Sequence, residues 1–355
     1  METTYSQLET AFILSAFAYL STDNLLKQIQ NTFSGQETLQ FIATPSPYDN
    51  YAFITYNQQL NRYTLAIRGS VPFSAPNWGG FYNWISEDFN VFQQSNWPYP
   101  TDTSNPTLQV SNGSLLALTQ LLSLQDSPTA SDNDPQSPIY TLLSQAAGQG
   151  SQILITGHSL GANMANSFAV YFAQQLQQAG QSITNVSLIS IAAPASGNQA
   201  FAAMLDADYP GQQSFHYELA GDIVPKFPVV DQILDKLMVL YGSLSSSGDV
   251  PEAASIEVYP PYSPTLANAF EVVAGAIALS YWLEDTNAYS QPTNNYEMQS
   301  QPAPSSFPNT ITGFFQEAKM FHSLYAYSEA YAPSISQLIK QVSSLVPAYR
   351  NVLLA

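Results

Sequence analysis

The segment 157–161, Gly-His-Ser-Leu-Gly, constrains the fold of this chain more than any other feature. It follows an apolar run at 152–156 that is typical of a buried strand, and it precedes an amphipathic helical pattern at 162–176. A serine between two glycines at a strand-to-helix turn indicates a nucleophile elbow. The glycines let the backbone turn sharply and keep side chains away from a serine in a strained conformation. We therefore expect Ser159 to be a nucleophile.

Apolar segments on both sides of this turn predict an α/β fold. Residues 51–56 and 62–67 flank a turn-like sequence and predict a hairpin, while 186–192 and 214–219 are typical of buried strands. Strands that alternate with helices indicate a largely parallel central sheet flanked by helices. We expect one domain over residues 1–355.

Composition and charge exclude several classes of function. The 355 residues include 26 acidic and only 8 scattered basic side chains, for a net charge of −18. Nucleic acid is not an expected partner, because phosphate binding needs clustered lysine and arginine. The absence of cysteine excludes thiolate catalysis and cysteine-bound metal. Asp132 and Asp134 lack the glycine and glutamate of a calcium loop, so no metal or cofactor is expected.

The sequence constrains the cellular location of the protein less than it constrains the fold. Acidic rather than basic residues precede the apolar run at 11–20, which is unlike a signal peptide, so we expect a helix of the fold there. No apolar stretch reaches the length of a membrane-spanning helix. Low charge and abundant small polar residues slightly favour an extracellular protein.

Histidine is the usual general base for a serine nucleophile, and the chain has three. His158 adjoins the serine, and its side chain should point away from the hydroxyl, while His216 lies within a predicted strand. His322 remains, and it follows serine and acid in the order that α/β-hydrolases use. Asp222 directly follows the strand at 214–219 and is the favoured acid.

Rival carboxylates between the serine and His322 lie at helical or capping positions: Asp206, Asp208, Asp231 and Asp235.

Several ordered segments resemble the class 3 lipases, the α/β-hydrolases typified by the fungal triacylglycerol lipases. They are Leu65–Ser70 with its Arg-Gly-Ser ending, Asn83-Trp84-Ile85 with Asp88, Ile153–Gly161, Ala193-Pro194 through Gly197-Asn198 and Phe201, and Asp222-Ile223-Val224-Pro225. Ala162 departs from the glycine that the family usually has after the elbow.

This resemblance implies an α/β-hydrolase fold with a lid or cap insertion. It implies that Ser159 is the nucleophile, Asp222 the acid and His322 the base. It also implies an oxyanion hole formed by the backbone N–H and the hydroxyl of Ser70, and by the N–H of Leu160.

Two segments are longer than the family pattern. Residues 71–82 form either a lid or a rigidly packed loop, and 227–310 form a candidate cap. Within this cap the apolar segment 264–283 is either a core or cap helix or a lipid-facing surface. Candidate lid or substrate-binding residues are aromatic: Phe73, Trp78, Phe81 and Trp84.

The sequence therefore predicts a serine carboxylic-ester hydrolase, a lipase or esterase, that cleaves acylglycerols or other lipid esters through an acyl-enzyme. The expected partner is a lipid or ester substrate at a lipid–water interface. Phospholipase A1 and acyltransferase activities use the same residues and stay open, as does a non-catalytic binding module on the same fold.

Overall fold

The computed structural model describes residues 5–46, 50–70, 90–99, 108–126, 137–233, 265–283, 288–298, 310–347 and 353–354. The predicted lid at 71–82, with Phe73, Trp78 and Phe81, lies outside these ranges, as does Trp84. The predictions for this segment therefore stay predictions.

A seven-stranded sheet forms the centre of the described fold, in the order β1-β2-β3-β6-β7-β9-β11. Its strands are β1 (Glu37–Ile42), β2 (Ala52–Asn57), β3 (Arg62–Ile67), β6 (Gln152–His158), β7 (Val186–Ile191), β9 (Ser214–Leu219) and β11 (Asn295–Met298). The first three strands pair antiparallel, and from β3 onward all neighbours are parallel. The predicted hairpin and the largely parallel sheet are both confirmed.

A second, smaller sheet has the order β10-β8-β5-β4. Its strands are β4 (Gln94–Asn96), β5 (Gln109–Ser111), β8 (Gly197–Asn198) and β10 (Tyr289–Ser290).

Helices flank the central sheet. The α-helices of the described ranges are α1 (Gln7–Phe17), α2 (Thr22–Phe33), α3 (Asn112–Ser123), α4 (Pro138–Gly148), α5 (Leu160–Gln178), α6 (Gln199–Asp208), α7 (Leu266–Leu283), α8 (Ile311–His322), α9 (Leu324–Tyr331) and α10 (Ser336–Ser344). Among them, none is both long and apolar enough to span a membrane.

Strand β6 is buried along nearly its whole length because α1 and α5 both pack against it. The four-residue spacing from Leu160 predicts an apolar stripe on α5, and Leu160 is partly buried. The other four residues of the stripe are fully buried: Met164, Phe168, Phe172 and Leu176. Helix α1 reaches the same strand through a hydrogen bond between the hydroxyls of Ser15 and Thr156, 3.2 Å apart. This packing fixes the carboxyl end of β6, where Ser159 follows.

Helix α7 belongs to the apolar segment predicted to be either a core or cap helix or a lipid-facing surface. Its inner residues Ala269, Val273 and Ile277 are buried in a cluster that also contains Ile223 and Phe321. These last two residues directly follow Asp222 and precede His322. The inner face of α7 therefore packs against the residues next to the candidate acid and base. That residues 227–310 form a cap stays a prediction.

A buried ionic cluster attaches β11 to the rest of the sheet. The Lys226 ammonium donates hydrogen bonds to carboxylate oxygens of Glu218 on β9 and Glu297 on β11. Asn295 on β11 also donates to Glu218. Burial tends to lower the pKa of Lys226, but the attraction of Glu218 and the hydrogen bonds to Glu218 and Glu297 together raise that pKa above its usual value. The cluster therefore holds a charged lysine between two strands.

Replacing Lys226 with methionine should lower the free energy of unfolding by about 3–5 kcal/mol, because Glu218 would lose its cation while remaining buried. Urea denaturation followed by circular dichroism measures the change. The control is Lys27→Met on the exposed side of α2, which should change that free energy by less than about 0.5 kcal/mol. Equal effects of the two substitutions would contradict a structural role for the cluster.

Candidate active site

The turn after β6 holds Ser159 in an unusual backbone conformation, with φ 60° and ψ −128°. This geometry needs close approach between backbone segments. A Cβ atom on Gly157 would lie 2.3 Å from the carbonyl oxygen of Gly161, and a Cβ on Gly161 would lie 2.3 Å from that of Ile67. Both distances are shorter than atoms can tolerate, so the two glycines of the elbow are sterically required.

Replacing Gly161 with alanine should separate the elbow from the end of β3, because the clashing atom belongs to the backbone. Overpacking of this kind costs about 1–3 kcal/mol of stability and should displace Ser159. The matched control is Gly275→Ala in α7, where no described atom lies within 4 Å of the new Cβ.

Thermal unfolding compares the two variants. The Gly275 substitution should raise the unfolding free energy by about 0.5–1 kcal/mol through helix propensity. Stabilisation by the Gly161 substitution would contradict the steric interpretation.

Three of the predicted side chains come together at the carboxyl edge of the sheet. The Nε2 atom of His322 lies 2.8 Å from Ser159 Oγ, and its Nδ1 atom lies 2.7 Å from Asp222 Oδ2. Asp222 comes from the turn after β9, and His322 is the last residue of α8. The arrangement can pass a proton from the serine hydroxyl to the imidazole, with the carboxylate orienting the ring.

The carboxylate of Asp222 is fully buried and held by hydrogen bonds in addition to that from His322. Its Oδ1 atom accepts from the Val224 N–H at 2.9 Å. Its Oδ2 atom also accepts from the Tyr327 hydroxyl at 2.8 Å. Burial, and then the charge of Asp222, raise the pKa of Tyr327 well above its usual value, so this phenol stays protonated as a donor. The charge of Asp222 is therefore stabilised without access to water.

Tyr327 is a site residue that sequence reasoning missed. It lies on α9, five residues after His322, and it also accepts a hydrogen bond from the Leu219 N–H at the end of β9. The chain contains 22 tyrosines, and nothing in the local sequence distinguishes this one from the others. Its role follows only from the way in which α9 folds back onto the strand before Asp222.

The imidazole of His322 stands at the boundary between the core and solvent, with 17% of its side chain exposed. It also lies in the last turn of α8. The carboxyl end of a helix carries partial negative charge, which favours a cation there.

Ser70 lies three residues beyond β3, the parallel neighbour of β6. A Cβ atom on the preceding residue, Gly69, would lie 3.3 Å from Ser159 Cβ, so this segment runs directly beside the serine. Among the described residues, no hydrogen-bond partner exists for the buried Ser70 hydroxyl. Leu160 begins α5, where the first N–H groups have no acceptor within the helix. Both predicted oxyanion-hole residues therefore lie beside Ser159 with donors to offer.

His216 forms a second contact between a serine and a histidine, in the interior of the sheet. Its Nδ1 atom lies 2.5 Å from the hydroxyl of Ser190 on the adjacent strand β7. The ring is 3% exposed and Ser190 is fully buried, so a substrate cannot reach this pair. Burial lowers the pKa of His216 to about 4, and the ring is therefore neutral at physiological pH.

The rival carboxylates have other surroundings. Asp206 accepts two hydrogen bonds of 2.8 Å from Thr293, and Asp208 accepts one of 3.3 Å from Gln177. Asp231 is exposed, and Asp235 lies outside the described residues. Across the described ranges, no group of three or more acidic or histidine side chains is placed to hold a metal ion.

The mostly parallel sheet and the strained serine at the strand-to-helix turn define an α/β-hydrolase fold. Residues 65–232 match the family model for class 3 lipases. Over this segment, just under half of the chain, the sequence has the pattern of the class 3 lipases.

Structural comparison agrees on the fold. The chain is similar to M37 lipase over 99% of both chains, with a TM-score of 0.68 and 18% sequence identity. Lipase II from Rhizopus niveus matches 62% of this chain and 74% of its own, with a TM-score of 0.47 and 19% identity. A Rhizomucor miehei lipase propeptide complex matches 65% of this chain and 69% of its own, with a TM-score of 0.44 and 18% identity. A comparison with curated protein sequences found no match.

Proposed function

We propose that this chain hydrolyses lipid esters through a covalent acyl-enzyme, with Ser159 as nucleophile, His322 as general base and Asp222 as orienting acid. The observation that carries the proposal is the pair of hydrogen bonds at His322, 2.8 Å to the serine and 2.7 Å to the aspartate. A serine hydroxyl is a weak nucleophile unless an adjacent base takes its proton. These three side chains supply the nucleophile, the base and the group that fixes the base.

In the first half-reaction, Ser159 Oγ attacks the ester carbonyl while His322 Nε2 takes the hydroxyl proton. The tetrahedral intermediate collapses when the carbon–oxygen bond to the alcohol breaks, and His322 returns the proton to that alcohol. Water then attacks the acyl-serine and loses a proton to His322. The bond between the acyl carbon and Ser159 Oγ breaks, His322 returns the proton to the serine oxygen, and the carboxylic acid leaves. Asp222 remains ionised throughout and holds the imidazole in one tautomer. Activity is therefore expected to fall on acidification, because the base must be neutral.

The negative charge of each intermediate would lie on the former carbonyl oxygen. We assign its stabilisation to the N–H of Leu160 and to the N–H and hydroxyl of Ser70. The N–H of Leu160 lies at the start of α5, where the helix dipole favours negative charge. The unpaired hydroxyl of Ser70 supports this assignment, since a buried donor without a partner is costly unless a ligand supplies one.

Lipid esters are the proposed substrate class because residues 65–232 match the family model for class 3 lipases. Leu160, the residue after the nucleophile, is apolar and partly exposed, and it packs against the buried cluster that includes Ile223, Val224 and Phe321. An apolar surface at this position favours hydrocarbon over a charged group.

Replacing Ser159 with alanine should reduce ester hydrolysis by about 10⁴-fold or more, because the variant has no nucleophile. The assay is hydrolysis of p-nitrophenyl esters with acyl chains from two to sixteen carbons. The matched control is Ser190→Ala, which removes the serine hydroxyl that contacts His216. This variant should retain turnover, since Ser190 is fully buried.

The outcomes separate the alternatives. A maximum at long chains supports lipid esters, whereas a maximum at two to four carbons would contradict the substrate class and leave a soluble esterase. Retained hydrolysis in Ser159→Ala, or an equal loss in Ser190→Ala, would contradict the mechanism. Absence of turnover with every ester and with phospholipids would favour a binding module.

A further inference from the structure

One buried titratable side chain beside the candidate triad is not used by the proposed mechanism. His158, between Gly157 and Ser159, is fully buried. Within the described residues, no hydrogen bond joins its ring to the Ser159 hydroxyl, and the ring reaches the chain segment that carries the base. Its Nε2 atom lies 2.9 Å from the main-chain carbonyl oxygen of His322. The two imidazole rings are 4.9 Å apart between centroids.

The acceptor in this contact is a carbonyl at the end of a helix. His322 is the last residue of α8, and the final carbonyls of a helix have no N–H partner within it. The hydrogen bond from His158 gives this carbonyl a donor and connects the residue before the nucleophile to the main chain of the base. The two residues are 164 positions apart in sequence.

The partners of the ring define its protonation state. A carbonyl oxygen can only accept a hydrogen bond, so Nε2 of His158 must carry the proton. The other nitrogen, Nδ1, then accepts in the neutral ring, and it lies 3.2 Å from the hydroxyl of Tyr19 at the end of α1. Burial, and then the nearby charge of His322, lower the pKa of His158 well below its usual value. Tyr19, His322 and Tyr327 are the titratable side chains that contact the ring.

Tyr19 is also packed closely against the candidate oxyanion segment. It is 1% exposed, and a Cβ on Gly69 would lie 2.3 Å from its hydroxyl oxygen. Gly69 precedes Ser70, so the same hydroxyl contacts the candidate oxyanion segment and His158. A chain of contacts thus runs from α1 through the elbow to the end of α8.

We propose that His158 is a positioning residue: as a neutral imidazole with its proton on Nε2, it holds the carbonyl of His322 and so sets the position of the base relative to Ser159. The inference rests on the proposed function, since it concerns the same site. A displacement of about 1 Å between base and nucleophile can reduce turnover by about a hundredfold. Substrate binding does not involve His158, so its loss should lower kcat and leave KM nearly unchanged.

The first test is spectroscopic and needs no activity. The chain has three histidines, so ¹⁵N-histidine labelling gives three imidazole rings that His216→Gln and His322→Ala assign by elimination. We expect His158 to be neutral with its proton on Nε2 at every pH at which the protein is folded and active. A proton on Nδ1 alone, or a ring that titrates together with His322, would overturn the proposal.

The second test is kinetic and uses conservative rescue. His158→Leu keeps an apolar side chain without a donor and should lower kcat by about a hundredfold. His158→Gln carries an amide donor near the place of Nε2 and should recover at least tenfold of that loss. The matched control is His216→Gln, which alters another buried histidine of the same sheet and should leave kcat within about twofold. Equal kcat values in the leucine and glutamine variants would overturn the proposal.

A milder variant covers the case in which His158→Leu does not fold. Tyr19→Phe removes only the hydroxyl that bonds to Nδ1, and it should lower kcat about three- to tenfold with KM unchanged. An unchanged kcat together with an altered His158 spectrum would contradict the link between ring and base. If wild-type hydrolysis persists in Ser159→Ala, the proposed function fails, while the spectrum still decides which nitrogen of His158 carries the proton.

Discussion

The backbone of the turn after β6 lies directly against the backbone at the end of β3, and the position of Ser159 depends on this contact. Hydrogen on Gly161 is all that fits beside the Ile67 carbonyl, and hydrogen on Gly157 is all that fits beside the Gly161 carbonyl. The N–H of Ser159 also donates to the Ile191 carbonyl at the end of β7, at 2.9 Å. Two neighbouring strands therefore hold the serine at a positive φ that it would avoid in an unfolded chain.

Everything else in the candidate site is arranged around that fixed serine. Parallel strands end at one edge of the sheet, so the segments after β3, β6 and β9 bring Ser70, Ser159 and Asp222 to the same place. The base comes from the end of a distant helix, and it is located by contacts with the sheet: one through its ring to Asp222, and one through its carbonyl to His158. The sheet supplies rigidity, and the helix supplies a side chain with access to solvent.

Much of this could be predicted from the sequence because the local signals agree. The elbow, the strands at 186–191 and 214–219 and the stripe of α5 combine strong periodicity with turn residues that have few alternatives. His322 and Asp222 could be selected because the chain offers so few histidines and because the acid follows a strand directly. Tyr19 and Tyr327 could not, since their roles arise from the packing of α1 and α9, which no local pattern encodes. The contact between Ser190 and His216 could not be predicted either, because it arises from the pairing of adjacent strands. It has the residue types of a catalytic pair, but it is buried where no substrate can reach it.

The proposed mechanism requires that His322 activates Ser159 and that a reagent can reach this serine. Intact-protein mass spectrometry after treatment with a fluorophosphonate, followed by peptide mapping, tests it most directly. We expect one covalent adduct per chain, located on Ser159, with a labelling rate that falls steeply in His322→Ala and stays the same in His216→Gln. An unlabelled protein, or an adduct on any other serine, would contradict it.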